Sequence, residues 1–122
     1  MRRVNRRSEH KIVSVAPHIE WDDYWDKPSA RINCPVCADS YQHHAETIVF
    51  DRPREDGPTT AISLPSGNAV SEKNPSSRRD AVRVNFYGEC GHEWSLDIVQ
   101  HKGETFLFAT WTGTRDDSDV PL

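Results

Sequence analysis

The residues able to do chemistry sit in two short stretches, Ile32-Asn33-Cys34-Pro35-Val36-Cys37 and Tyr87-Gly88-Glu89-Cys90-Gly91-His92-Glu93-Trp94. Between them they hold all three cysteines of the chain. Two thiolates spaced as Cys-x₂-Cys can point from one tight turn at a single Zn²⁺, and Pro35 inside the pair helps to set that turn. Cys90 and His92 supply two further donors. The spacing therefore predicts a tetrahedral set of Cys34, Cys37, Cys90 and His92 around one Zn²⁺, with His43 as second choice for the fourth ligand and His44 as third. Four protein ligands leave no open coordination position, so the expected ion is structural, whereas catalytic zinc usually keeps a water.

The pair Cys-Pro-x-Cys and Cys-Gly-His-x-Trp resembles the two knuckles of a zinc ribbon, a small β-hairpin module in which two cysteine turns grip one ion. The resemblance covers about twenty residues. A full second knuckle reads Cys-x-x-Cys-Gly-His, and Tyr87 stands where its first cysteine belongs. The knuckles are also some fifty residues apart, so the ion would tie distant strands together. The wider pattern of Cys-Pro-Val-Cys, Tyr41 to His43, Cys-Gly-His and His101 to Phe106 resembles small uncharacterised proteins of bacteria and their phages. That likeness implies no activity.

Other chemistries fail on spacing. His92-Glu93 opens like the metalloprotease motif His-Glu-x-x-His, but residue 96 is Leu. The zinc deaminases combine His-x-Glu with Pro-Cys-x-x-Cys, whereas Glu93 directly follows His92 and Pro35 lies inside the cysteine pair. A cysteine nucleophile would need a base such as His101, but the thiols are better explained as ligands. His101, Lys102 and Glu104 form either a polar recognition patch or a solvated turn. The expectation is a non-enzymatic protein, and the zinc-hydrolase alternative requires an open ligand position and a cleft beside Cys90.

The formal charge of −4 hides an asymmetry. Arg2, Arg3, Arg6, Arg7 and Lys11 against Glu9 give residues 1–11 a charge of +4, leaving −8 for the remainder. An acidic body argues against a broad phosphate-binding face, although the basic arm could touch nucleic acid. Residues 1–11 read as a disordered arm, 12–113 as a single zinc-stapled β domain and 114–122 as a flexible acidic tail. An odd number of cysteines, no secretion signal and no stretch long enough to span a bilayer point to a reduced, cytoplasmic setting.

The elements that must position the ligands are mostly strands, giving a mainly β fold: a small zinc-ribbon-like antiparallel sheet with long loops and room for one short helix. Ile12 to Val15, Thr47 to Phe50 and Ala61 to Leu64 read as short strands, and Ser66 to Asp80 as a long mobile loop. Val82, Val84 and Phe86 alternate with Arg83 and Asn85, and Trp94, Leu96 and Ile98 with Ser95 and Asp97, which is the period of half-buried strands. Cys90 and His92 share the parity of Trp94, so an extended chain would put both ligands on the core side. Lys102-Gly103 suits a two-residue hairpin turn. Opposed residue numbers then sum to 205, placing Trp94 against Trp111, Leu96 against Ala109 and Ile98 against Leu107, with a second, partly covered face pairing Val99 with Phe106 and Asp97 with Phe108. Ile19 to Asp26 sets three aromatics among four acids, and the i, i+4 spacing of Trp21 and Trp25 fits one helical turn. Covering the domain's own core is the expectation for these rings. Their alternative use is docking of a macromolecular partner, most plausibly a protein, by Trp21, Tyr24 and Trp25.

Overall fold

The computed structural model describes residues 13–112. The basic arm 1–11 and the acidic tail 114–122 lie outside the described residues. The fold is mainly β, with strands β1 (Val13–Val15), β2 (His18–Asp22), β3 (Ser29–Asn33), β4 (Gln42–Asp51), β5 (Thr60–Leu64), β6 (Ala81–Gly88), β7 (Glu93–His101) and β8 (Glu104–Trp111). Six of them form an antiparallel sheet in the order β1-β8-β7-β6-β4-β5, and β2 and β3 form a separate two-stranded ribbon. No helix among the described residues is long and apolar enough to cross a membrane.

The β7–β8 hairpin follows from its turn. Lys102 and Gly103 both adopt positive φ, 52° and 81°, the pattern whose twist matches that of the flanking strands. The ladder that results has the expected register: His101 opposes Glu104, Ile98 opposes Leu107, Leu96 opposes Ala109 and Trp94 opposes Trp111. β1 then pairs with the far half of β8, Val13 beside Trp111 and Val15 beside Ala109. Pro17 follows at once, and a proline cannot extend a ladder from its missing N–H.

Each face of the sheet has its own core. On one face Cys34, Val36, Trp94, Leu96, Ala109 and Trp111 are buried together, with Phe86 stacked on Trp94 at 4.5 Å between centroids. On the other, Ile48, Phe50, Ala61, Ala81 and Val99 are buried. This second face is only partly covered, as alternation predicts: Phe106 and Phe108, opposite Val99 and Asp97, are 41 and 52 % exposed. Asp97 is only 5 % exposed because the Arg83 guanidinium donates to both of its oxygens, at 2.8 and 3.1 Å. Nearby, Ser63 donates to Glu46, Asn85 donates to the same carboxylate, and Ser95 donates to Asn85, so the buried hydroxyls on this face are satisfied.

One expectation is corrected. Residues 18–22 form a strand followed by a turn, where the aromatic spacing suggested a helical turn. Cross-strand bonds decide this: Arg31 on β3 reaches both Glu20 and Asp22, the Asp22 carboxylate accepts the Tyr24 N–H, and Asp26 turns the chain at φ 62°. The segment 66–80 is a loop, but one strapped to the sheet. Ser76, 2 % exposed, donates to the Gln100 carbonyl and accepts N–H groups from Arg78 and Arg79, while the Asn74 amide donates to the Arg79 carbonyl and to Thr59. Short polar side chains do here what a ladder does elsewhere.

Candidate metal centre

Two turns bring the ligand residues together. The first follows β3, where the Ala38 N–H donates to the Cys34 carbonyl at 2.8 Å and the Cys34 N–H donates to the Asp39 carbonyl at 2.9 Å. Ala38 sits at φ 70°, which closes the turn and returns the chain toward β4. The second joins β6 to β7. There the Gly91 N–H donates to the Gly88 carbonyl and the Gly88 N–H to the His92 carbonyl, with Gly91 at φ 91°, a conformation that glycine adopts without a Cβ penalty. Cys90 and His92 are therefore in a tight turn and not on an extended strand. The sequence reading had the right side of the sheet for them but the wrong local conformation, because parity ignores the reversal at Gly91. A bond from the Glu89 N–H to the Tyr41 carbonyl ties the two turns to each other.

One donor atom from each of Cys34, Cys37, Cys90 and His92 lies within 4.8 Å of the others, and this set can hold a metal ion. Cys34 Sγ and His92 Nδ1 are 3.6 Å apart. A tetrahedral centre with Zn–S of ~2.3 Å and Zn–N of ~2.05 Å has an S···N edge of ~3.6 Å, so that separation fits Zn²⁺. Cys34 is buried beneath the site, Cys37 is exposed at its rim, and Cys90 is intermediate.

The three thiols differ in acidity. Burial pushes Cys34 up to about 12. Burial also raises Cys37. Burial acts on Cys90 in the same sense, but it is outweighed by hydrogen bonds from the His92 backbone and side chain, from Gln42 and from Cys37, which bring Cys90 down to about 7. In the metal-free state Cys90 is thus the thiol nearest to thiolate at neutral pH. A bound cation would deprotonate all three.

Gln42 and Gly88 belong to this centre, and spacing alone does not reveal them. Gln42 lies opposite Gly88 across the β4–β6 ladder. Its Oε1 accepts the Trp94 indole N–H at 2.8 Å, which fixes the amide so that Nε2 donates to Cys90 Sγ at 3.8 Å and to the Asp39 carbonyl at 3.1 Å. A Cβ on Gly88 would stand 2.6 Å from Cys90 Sγ and from the Gln42 amide, so only glycine fits there. A glycine next to a cysteine turn is a signal for Gly88. For Gln42 the sequence carries none, since its link to Cys90 exists only through strand pairing.

The remaining candidates are placed elsewhere. His43 faces away from the centre, stacked on Tyr87 at 5.3 Å and 3.0 Å from the Glu89 carboxylate. Tyr87, in the position of a missing cysteine, is on the same outer side and 51 % exposed. His44 packs edge-on against Phe86. His101 ends β7, a nine-residue strand that starts beside the centre. At ~3.3 Å per residue that puts it about 30 Å from Cys90, too far to serve a cysteine nucleophile. Trp21, Tyr24 and Trp25 do not cover the core: they are 82, 78 and 65 % exposed on the ribbon. The two-stranded pairing of β2 with β3 carries them away from the sheet, which overturns the expectation that their area fills the interior. Comparison with protein-family models, with curated proteins and with solved structures finds no match for the chain.

Proposed function

We propose that the chain is a non-enzymatic module in which a structural Zn²⁺, held in a ribbon-like pair of knuckles, anchors the β2–β3 ribbon so that Trp21, Tyr24 and Trp25 dock a protein partner. The observation that carries this reading is the exposure of those three rings beside Asp22, Asp23 and Asp26. A buried aromatic contributes ~150–250 Å² of contact, and clustered exposed rings of this kind mark binding surfaces. β3 runs directly into Cys34, so an ion at that cysteine fixes the root of the ribbon. The acids around the rings favour a partner with a basic rim about an apolar contact. Thiolate-rich donors favour zinc, and four protein ligands close its coordination sphere, which supports a structural role over a hydrolytic one.

Metal content by mass spectrometry on untagged protein tests the first half. About one zinc per chain is expected, lost in Cys34→Ser and in His92→Ala but retained in His43→Ala. Metal-free protein after reduced purification would remove the zinc reading. The second half is tested by capturing partners with the wild type and with a Trp21→Ala/Trp25→Ala variant of unchanged zinc content. A captured protein that binds the purified wild type and not the variant supports docking by the ribbon, and equal binding to both removes it. Binding that falls steeply with salt and vanishes on deleting residues 1–11 would instead assign the interaction to nucleic acid and the basic arm.

A further inference from the structure

A second surface, distinct from the ribbon, crosses five of the six strands of the main sheet. The ladders place Ile62 beside Val49, Val49 beside Val82, Val82 beside Ile98 and Ile98 beside Leu107, so one aliphatic side chain from each of five adjacent strands lies in a single row on one face. Among the described residues, the second layer on this face covers the end around Trp94, Leu96, Ala109 and Trp111, with Val13, Val15 and Phe86 packed against them. Beyond it the row is open: Ile62 is 38 % exposed, Val49 37 %, Ile98 36 % and Leu107 42 %. Leu64, 42 % exposed, and Val84 widen the row toward the covered end. No charged residue interrupts it.

We infer that this row is the centre of a two-fold interface between two copies of the chain, packed sheet on sheet. A sheet with an apolar face needs a second layer, and the described residues supply that layer over one end only. The row is self-complementary. Its middle strand is β6, and a two-fold axis over Val82 lays the five aliphatic residues on their own copies, as an isologous contact requires. Two such faces pack about 10 Å apart with strands nearly aligned, and seven partly exposed aliphatic side chains supply roughly half of the ~800 Å² per partner of a standard interface. The polar rim supplies the rest, in keeping with an apolar centre and a polar border.

Sedimentation equilibrium of the full chain under reducing conditions tests the assignment. Wild type is a dimer at about 50 µM, while Val49→Lys and Ile98→Lys, both at exposed positions, sediment as monomers of unchanged metal content. Trp21→Ala/Trp25→Ala remains a dimer, which separates this face from the ribbon. A wild type that stays monomeric to about 200 µM overturns the inference, as does a dimer that survives both lysine substitutions. Should the lysine variants fail to fold, isotope-filtered NOEs in a mixture of labelled and unlabelled wild type decide it. Contacts between the Val82 methyl groups of the two copies sustain the interface, and their absence removes it.

Discussion

The division of labour among three thiols is a matter of single hydrogen bonds. Cys90 is brought to about 7 against the burial that raises it, because His92, Gln42 and Cys37 donate to it, and Cys34 is pushed to about 12 because burial outweighs the backbone hydrogen bonds from Cys37 and Val36 that lower it. In reduced, metal-free protein, iodoacetamide at about pH 7.5 is therefore expected to label Cys90 well before Cys34, as read by peptide mass spectrometry. The linkage has opposite signs at the two positions. Cys90 has a folded value below the 9.0 of an unperturbed thiol, so its contribution is full above pH 9 and is lost as pH falls through 7. Cys34 has a raised folded value, so its contribution is full below pH 9 and is lost as pH rises through 12. Urea midpoints of the metal-free chain should consequently rise from pH 7 toward 9, and a flat or falling profile would contradict this assignment. Gln42→Leu removes the donor to Cys90 and the acceptor of Trp94, and, if the cluster holds zinc as proposed, is expected to weaken its affinity about 10–100-fold in a competition titration. Gly88→Ala drives a methyl group into Cys90 and should cost more. The convergence of Cys34, Cys37, Cys90 and His92 was legible in the sequence because ligand spacing is local chemistry. Gln42 was not, because its bond to Cys90 spans 48 positions and depends on a register no local pattern encodes.

At the scale of elements, the β7–β8 hairpin was legible in full. Two turn residues fixed its register, and alternation supplied its faces. The ribbon was misread because the i, i+4 spacing of Trp21 and Trp25 is equally compatible with a strand leading into a turn, and the deciding bonds come from Arg31 on another strand. The segment 66–80 was legible as a loop but its attachment was not, because the partners of Asn74 and Ser76 at Thr59 and Gln100 lie far along the chain. The hairpin also predicts its own tolerance to proline. His101 and Glu104 close the turn, and the Thr112 N–H donates to the Glu93 carbonyl, so the even-numbered residues of β8 bond inward to β7. Thr105 points its N–H outward, beyond the reach of β1. Thr105→Pro should therefore lower the melting temperature little, whereas Phe106→Pro removes a ladder bond to Val99 and should cost ~3 kcal/mol or more. Comparable losses in the two variants would show that the outer edge of β8 is paired. Asp97→Ala leaves the Arg83 guanidinium beside Phe50 with Glu72 as its remaining carboxylate partner and should destabilise by about 1–2 kcal/mol in urea unfolding.

For the molecule as a whole, the Cys/His cluster sits where β3, β4, β6 and β7 meet, so an ion held there would join the ribbon to the sheet as well as one turn to another. Chelation is expected to lower the melting temperature and to speed amide exchange in residues 34–41 and 89–92 before it reaches β4, β5 and β6, because the second core around Ile48, Phe50 and Val99 does not include the Cys/His cluster. Uniform loss of protection would mean that the two cores unfold as one unit. The pairing of Val13 with Trp111 has a consequence of a different kind. The described chain enters and leaves on neighbouring strands, about 5 Å apart. Its topology is that of a closed excursion, which could be spliced into a surface loop of a host protein without prising that loop open. The splice points would lie beside Trp111, whose indole meets the His92 ring edge-on at 6.1 Å between centroids, so the ion would act as a clasp at the neck of the insert.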